Sequence, residues 1–260
     1  MNKMTLLLAT VLCISGFTAK SQDSTAAKKS PFSMNVDFMS RYIWRGVNLG
    51  GNTPSIQPTL KYNFGSKKHA FSIGAWGAYS TGGNQFQECD LTFGYTFNEI
   101  ISIGVTDYFF PADNGASIRY GNYKDLETGH VFEGTFAFNG TKKIPFTLMF
   151  AMNFYGMDAR KINADGTDGG IFMSKYVELG YKKVYDDMTV NVFIGGTLDD
   201  PKQDRGEIGF YGNESNGIIN VGLKLAKEIK ITDKFSLPIQ AQLIANPERE
   251  RIFMVLGISL

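Results

Sequence analysis

The feature that most constrains this chain is a two-residue alternation of apolar and polar side chains, which recurs about a dozen times between residues 31 and 260. A strand turns successive side chains to opposite faces, so such alternation marks a sheet with one apolar and one polar face. Phe32, Met34, Val36 and Phe38 share one parity, and Ser33, Asn35 and Asp37 the other. Leu91, Phe93, Tyr95 and Phe97 alternate with Asp90, Thr92 and Thr96. Phe146, Leu148, Phe150, Met152 and Phe154 alternate with Thr147, Ala151 and Asn153. After the first residues no apolar run is long enough for a membrane helix.

A soluble sandwich alternates too, but the connections separate the two readings. Segments 65–69, 98–100, 139–144, 182–187 and 227–234 are short, while the three longest connections, 111–129, 156–170 and 198–216, all fall in the alternate set. Bacterial membrane barrels sort their connections in this way and use an even number of strands. The prediction is an all-β fold: a transmembrane antiparallel up-and-down β-barrel of about 12 strands with short periplasmic turns and long extracellular loops. Pro58 and Pro238 fall inside strands and should each mark a bulge or a strand end.

The amino-terminal residues read as an export signal. Lys3 precedes an apolar stretch over 5–17, and Ala19-Lys20-Ser21 offers small residues for cleavage. The expected organisation is a signal peptide over 1–21, a periplasmic lead-in over 22–30 and a barrel over 31–260, located in a bacterial outer membrane. Bulky residues before Cys13 argue against a lipoprotein site. Loss of Cys13 with the signal leaves Cys89 alone, so sheet closure rather than a disulfide must supply stability. The 26 basic and 25 acidic residues leave no basic excess for nucleic acid.

Parity also nominates a site. If the first strand continues through Ser40 to Gly46, Tyr42 and Trp44 face lipid as an outer girdle, and Arg41 and Arg45 face the lumen with Asp37. Lys61, Glu88, Asp90, Glu133, Glu178 and Lys224 complete the expected lumen charges. Opposite signs across a narrow barrel neutralise and obstruct it. Eight-stranded barrels are filled by side chains and sixteen-stranded ones hold water, so twelve strands predict a narrow, partly blocked passage. The arginines read either as part of a stiffening ion-pair cluster or as an anion-attracting constriction.

The run Ser40-Arg41-Tyr42-Ile43-Trp44-Arg45-Gly46, with Gln57 and Pro58 in the following strand, resembles the Gcw-type (Gcw_chp) conserved bacterial proteins. Their first strand ends in Tyr-x-Phe/Trp-Arg-Gly and their second carries a Gln-Pro pair. The resemblance implies an outer-membrane location and no established activity.

An enzyme is not expected. Barrel phospholipases place a His and a Ser two positions apart on one strand face, so that the Ser gains a base. The mature chain has only His69, in a short turn, and His130, whose parity is outward and whose matching neighbour is Phe132. The oxygen-rich segment Asn163 to Asp168 lacks the spacing of a calcium loop. No metal or cofactor is predicted. The leading expectation is a narrow channel or transporter for small solutes; the alternatives are a structural or partner-binding barrel and, third, a lipid-modifying enzyme. Expected partners are outer-membrane lipid, lipopolysaccharide and small solutes, not nucleic acid.

Overall fold

The computed structural model describes residues 30–82, 86–111 and 119–260. The expected signal segment 1–21, and the lead-in except Ser30, lie outside those residues. The alternating runs become strands β1 (Phe32–Met39), β4 (Ser55–Gly65), β5 (His69–Ser80), β6 (Gln87–Phe97), β7 (Ile101–Phe109) and β8 (His130–Phe138). The series continues with β9 (Phe146–Gly156), β12 (Lys175–Tyr185), β13 (Met188–Thr197), β14 (Gly217–Thr232), β15 (Phe235–Asn246) and β16 (Arg251–Ser259). These twelve strands close one antiparallel barrel, with β16 returning to β1. Two short ribbons lie outside that sheet: β2 (Ile43–Trp44) with β3 (Val47–Asn48), and β10 (Arg160–Ile162) with β11 (Asp168–Ile171).

Alternation sets which face each side chain takes. Leu60, Ile73, Phe93, Ile103 and Leu179 point outward and are exposed, whereas Glu88, Glu133 and Asn153 point inward and are buried. The barrel is therefore apolar outside, while its inside combines polar side chains with a buried apolar cluster of Met39, Phe193, Ile244 and Val255. Pairing around the closed sheet satisfies the strand backbones, as a lipid environment demands, except along β16 beyond its short contact with β1. The short turns gather at one end, where Tyr185 pairs with Met188 across two residues, and the long connections gather at the other. An aromatic row rims the short-turn end: Phe32 lies 4.8 Å from Tyr62, Tyr62 5.8 Å from Phe64, Phe64 5.3 Å from Phe71 and Phe71 5.0 Å from Tyr95, centroid to centroid. Membrane barrels carry aromatic rows of this kind at their interfaces.

Neither proline shifts the register of its strand. The β4–β5 ladder lapses opposite Pro58 between the pairs Ile56–Tyr79 and Thr59–Trp76, then resumes unshifted. Pro238 pairs with Glu228 and directly precedes the first β15–β16 pair, Ile239–Ile258, so its missing donor faces the end of that ladder.

The closing seam is short. All of β1 pairs with β4, but only Asp37 to Met39 pair with β16. Flanking backbone bonds run from Val36 to Leu260 (2.9 and 3.0 Å) and from the Ser40 N–H to the Leu256 carbonyl (2.8 Å). Beyond Ser40 the chain leaves the wall and turns into the lumen.

Candidate functional site

The segment expected to extend the first strand is an infolded hairpin. Parity stops being a guide at Met39, because the backbone no longer lies in the sheet after Ser40. Strands β2 and β3 pair through Trp44–Val47 and Ile43–Asn48. The turn residues Arg45 (φ 48°) and Gly46 (φ 78°) both occupy the left-handed region. A two-residue turn of that kind matches the twist of a hairpin and favours Gly at its second position. Gly46 is also required by space: a Cβ there would sit 1.9 Å from the Ile219 carbonyl oxygen of β14. The Gly46 carbonyl accepts a hydrogen bond from Asn246 Nδ2 at 3.2 Å. The hairpin thus reaches from β1 to the ends of β14 and β15.

Tyr42 and Trp44 therefore do not form the lipid-facing girdle expected of them. Tyr42 is buried against Trp76 (5.4 Å) and Phe86 (5.8 Å), beside the Glu88 and Asp90 carboxyls. Trp44 stacks on Tyr211 (5.5 Å) and meets the edges of Tyr108 (5.7 Å) and Phe210 (6.0 Å).

Arg45, at the tip, makes the strongest contact. Its guanidinium donates to both Glu133 oxygens on β8, at 2.5 and 2.8 Å, and to the Tyr211 hydroxyl at 2.9 Å. It also lies over the rings of Trp44 (4.5 Å) and Tyr176 (4.7 Å). The Tyr108 hydroxyl donates to Glu133 at 3.0 Å. The two charged side chains are 9% and 1% exposed. Removing two charges from water is costly, and only paired, fully bonded geometry of this kind offsets it.

The other nominated residues fall in several places. Glu178 on β12 accepts from the Tyr176 hydroxyl (2.6 Å) and from Asn220 Nδ2 (3.0 Å), next to the Arg45 cage. Asp37 accepts from Asn35 Nδ2 (2.8 Å) and the Ser259 hydroxyl (2.5 Å), with Lys224 within electrostatic reach. Glu88 Oε2 and Asp90 Oδ1 are buried without a hydrogen bond among the described residues. Lys61 and Asp90 line a cavity on the short-turn side of the hairpin with Thr59, Thr92, Thr106 and Thr135. Arg41 lines a separate polar cavity of about 920 Å³ on the long-loop side. The hairpin divides these two spaces.

Tyr108 and Tyr176 share the polar parity of Thr106 and Glu178 in their strands. Bulky aromatics at polar parity were the available signal that something packs inside the barrel. Tyr211 lies in a loop, where parity says nothing. His130 does face outward, as its pairing with Phe109 requires. It is buried because Tyr123 stacks on it at 4.4 Å, while its ring nitrogens meet Asp107 and the Tyr120 carbonyl, each at 2.7 Å. The Asn163–Asp168 turn closes the β10–β11 ribbon, with Asp168 paired to Arg160 and Asp165 accepting from Thr167. No cluster of metal-binding side chains occurs among the described residues.

Residues 23–195 match a family described as bacterial protein of unknown function (Gcw_chp). No curated protein matches the chain. Among solved structures, the chain is similar to an outer membrane channel from Pseudomonas putida F1, at 12% identity and TM-score 0.47, covering 93% of this chain and 98% of that one. It is also similar to the NanC porin, at 10% identity and TM-score 0.42, covering 87% and 98% respectively. A third similar structure is the β domain of the Bordetella autotransporter BrkA, at 8% identity and TM-score 0.35, covering 88% and 98%.

Proposed function

The chain belongs to the Gcw_chp family, and we propose that it stands in a bacterial outer membrane as a narrow channel for small solutes, closed by the Arg41–Asn52 segment acting as a plug. The apolar outer face, the aromatic rim and the sorted loops support the membrane setting. The observation that carries the channel reading is the hairpin between two cavities, held at its tip by the Arg45–Glu133 pair. A lumen built only to be filled would not need water-sized space on both sides of one charged latch. Rings of charge at a constriction select ions and charged solutes in pores.

The decisive measurement is conductance of the purified protein in planar bilayers. The native protein should show rare, small openings. Arg45→Glu places a like charge against Glu133 and should raise the open fraction and move selectivity toward cations. Silence in both proteins would overturn the reading. It would favour a second one, a sealed barrel that works through its long loops, for which the completeness of the aromatic packing around Trp44 speaks.

A further inference from the structure

We propose that the outer half of the β1–β16 seam is a lateral binding site for an anionic amphiphile with one apolar chain and a hydroxyl-bearing, negatively charged head. The inference rests on the barrel standing in a bilayer, not on its conducting.

The argument starts from strand register. Leu256 bonds to Ser40 on the β1 side, so two residues further along each time, Met254 and Ile252 also turn their peptide groups to that side. No strand receives them there, because β1 has left the wall. Among the described residues the N–H and C=O groups of Ile252 and Met254 have no partner on this edge. Their side chains, 68% and 66% exposed, point outward. An open sheet edge facing hydrocarbon is costly, since nothing in lipid bonds to it. The edge needs an occupant that presents hydrogen-bonding groups.

The surroundings specify that occupant. The 920 Å³ polar cavity is lined by Ile252 and Phe253 and so lies against the open edge. Arg41, Arg249 and Arg251 line it. The Arg41 and Arg251 guanidiniums have no ion pair or hydrogen bond among the described residues, and that of Arg249 is bonded to the Gly212 carbonyl. Of the two carboxylates present, Glu214 and Glu248, the latter accepts from the Glu214 and Ser215 N–H groups through Oε1. Glu248 Oε2 and Asn48 Oδ1 are buried acceptors with no donor. Free guanidinium and N–H donors call for an anion, and orphaned acceptors call for hydroxyls beside it.

The chain of the ligand has its own place. Ile252, Met254 and Leu256 form an outward ladder about 13 Å long at roughly 3.3 Å per residue. It leads from the cavity to an apolar groove of about 640 Å³ on the outer wall, lined by Phe38, Leu225, Ile239, Ala241, Leu256 and Ile258. Ala241 leaves the depression between larger neighbours. A free hydrophilic anion would leave this groove unused, and an uncharged lipid would leave the arginines unpaired.

The test uses the full mature protein in uncharged detergent, with fluorescent single-chain phospholipids as probes. One carries a phosphoglycerol head and one a phosphocholine head; glycerol 3-phosphate alone serves as a competitor. The phosphoglycerol lipid should bind at least tenfold tighter than the phosphocholine lipid. Arg41→Gln/Arg251→Gln should abolish that preference, and Ala241→Leu should weaken both lipids. Because Arg41 is half-buried, Arg251→Gln alone, at an exposed site, provides the version that preserves folding and should reduce the preference severalfold. Equal binding of the two lipids, an unchanged preference in the variants, or competition by glycerol 3-phosphate as effective as the lipid itself would each overturn the proposal. Protection of the barrel from protease in lipid vesicles tests the membrane reading separately.

Discussion

Replacing Glu133 by Gln removes one charge from a pair whose members are 9% and 1% exposed, and leaves the shape of the lumen intact. Breaking a buried ion pair from one side costs about 3–5 kcal/mol, because the surviving charge stays desolvated. The amide oxygen keeps one hydrogen bond from the charged Arg45 guanidinium, worth about 1.5 kcal/mol. The cation–π contacts of Arg45 with Trp44 and Tyr176 are untouched. The hairpin therefore loses about 1.5–3.5 kcal/mol of its hold on the wall, a shift of about 10- to 300-fold toward the withdrawn state at 1.4 kcal/mol per tenfold. Two readouts follow it. Bilayer recordings should show the open fraction rising by that factor until it saturates. Trp44 and Trp76 are the only tryptophans, so a Trp76→Phe background isolates Trp44, whose emission should shift to longer wavelength as it leaves Tyr211. Unchanged emission and unchanged open fraction in Glu133→Gln would refute the claim that this pair latches the hairpin. The exchange Arg45→Glu/Glu133→Arg should restore part of the closed population.

Three other outcomes are expected. Gly46→Ala forces a side chain into the left-handed region, at about 1–2 kcal/mol, and drives its Cβ against the Ile219 carbonyl; the same Trp44 emission should report displacement of the hairpin. Glu207 accepts backbone N–H bonds from Lys202 and Ile162, both 2.7 Å, which hold its pKa below the ordinary glutamate value. A depressed carboxylate stabilises the fold above its unfolded pKa, and that contribution is lost as pH falls through the folded value. Protease cleavage of the 198–216 connection should accordingly rise on acidification below about pH 4.3, the unperturbed glutamate value, and Glu207→Gln should flatten the profile. His130→Ala removes two bonds at 2.7 Å, one to Asp107 on β7 and one to the Tyr120 carbonyl, which together hold the 119–129 segment against the wall. At about 1–3 kcal/mol for such bonds, hydrogen exchange over 119–129 should accelerate by one to two decades.

The barrel was legible because its code has a period of two and a large apolar contrast. Phe93 and Thr92 cannot exchange faces without inverting a whole strand, so twelve strands and their sidedness could be read from single residues. The infolded hairpin was not legible in the same way. Ser40 to Gly46 keeps the alternation of β1, and nothing local distinguishes a strand that climbs the wall from one that folds inward. Two facts outside that period decide it. Arg45-Gly46 is a hairpin turn, and Tyr108, Tyr176 and Glu133 leave a cage of the right chemistry on distant strands. The first is visible in the chain but ambiguous; the second exists only after closure has brought β7, β8 and β12 around one axis. The open edge of β16 follows from the same departure of β1 and has no sequence mark of its own.

The short seam has a consequence for assembly. Strands β4 to β16 each pair with a barrel strand adjacent in the chain and can form progressively, whereas β1–β16 joins residues more than two hundred positions apart and carries the largest loop-closure cost. It should therefore form last. The residues that then fill the lumen are the direct continuation of β1. Closing the cylinder and seating its stopper are one event, performed by one stretch of chain. On the channel reading, such a barrel is shut from the moment its sheet closes, and whatever opens it acts on a finished protein.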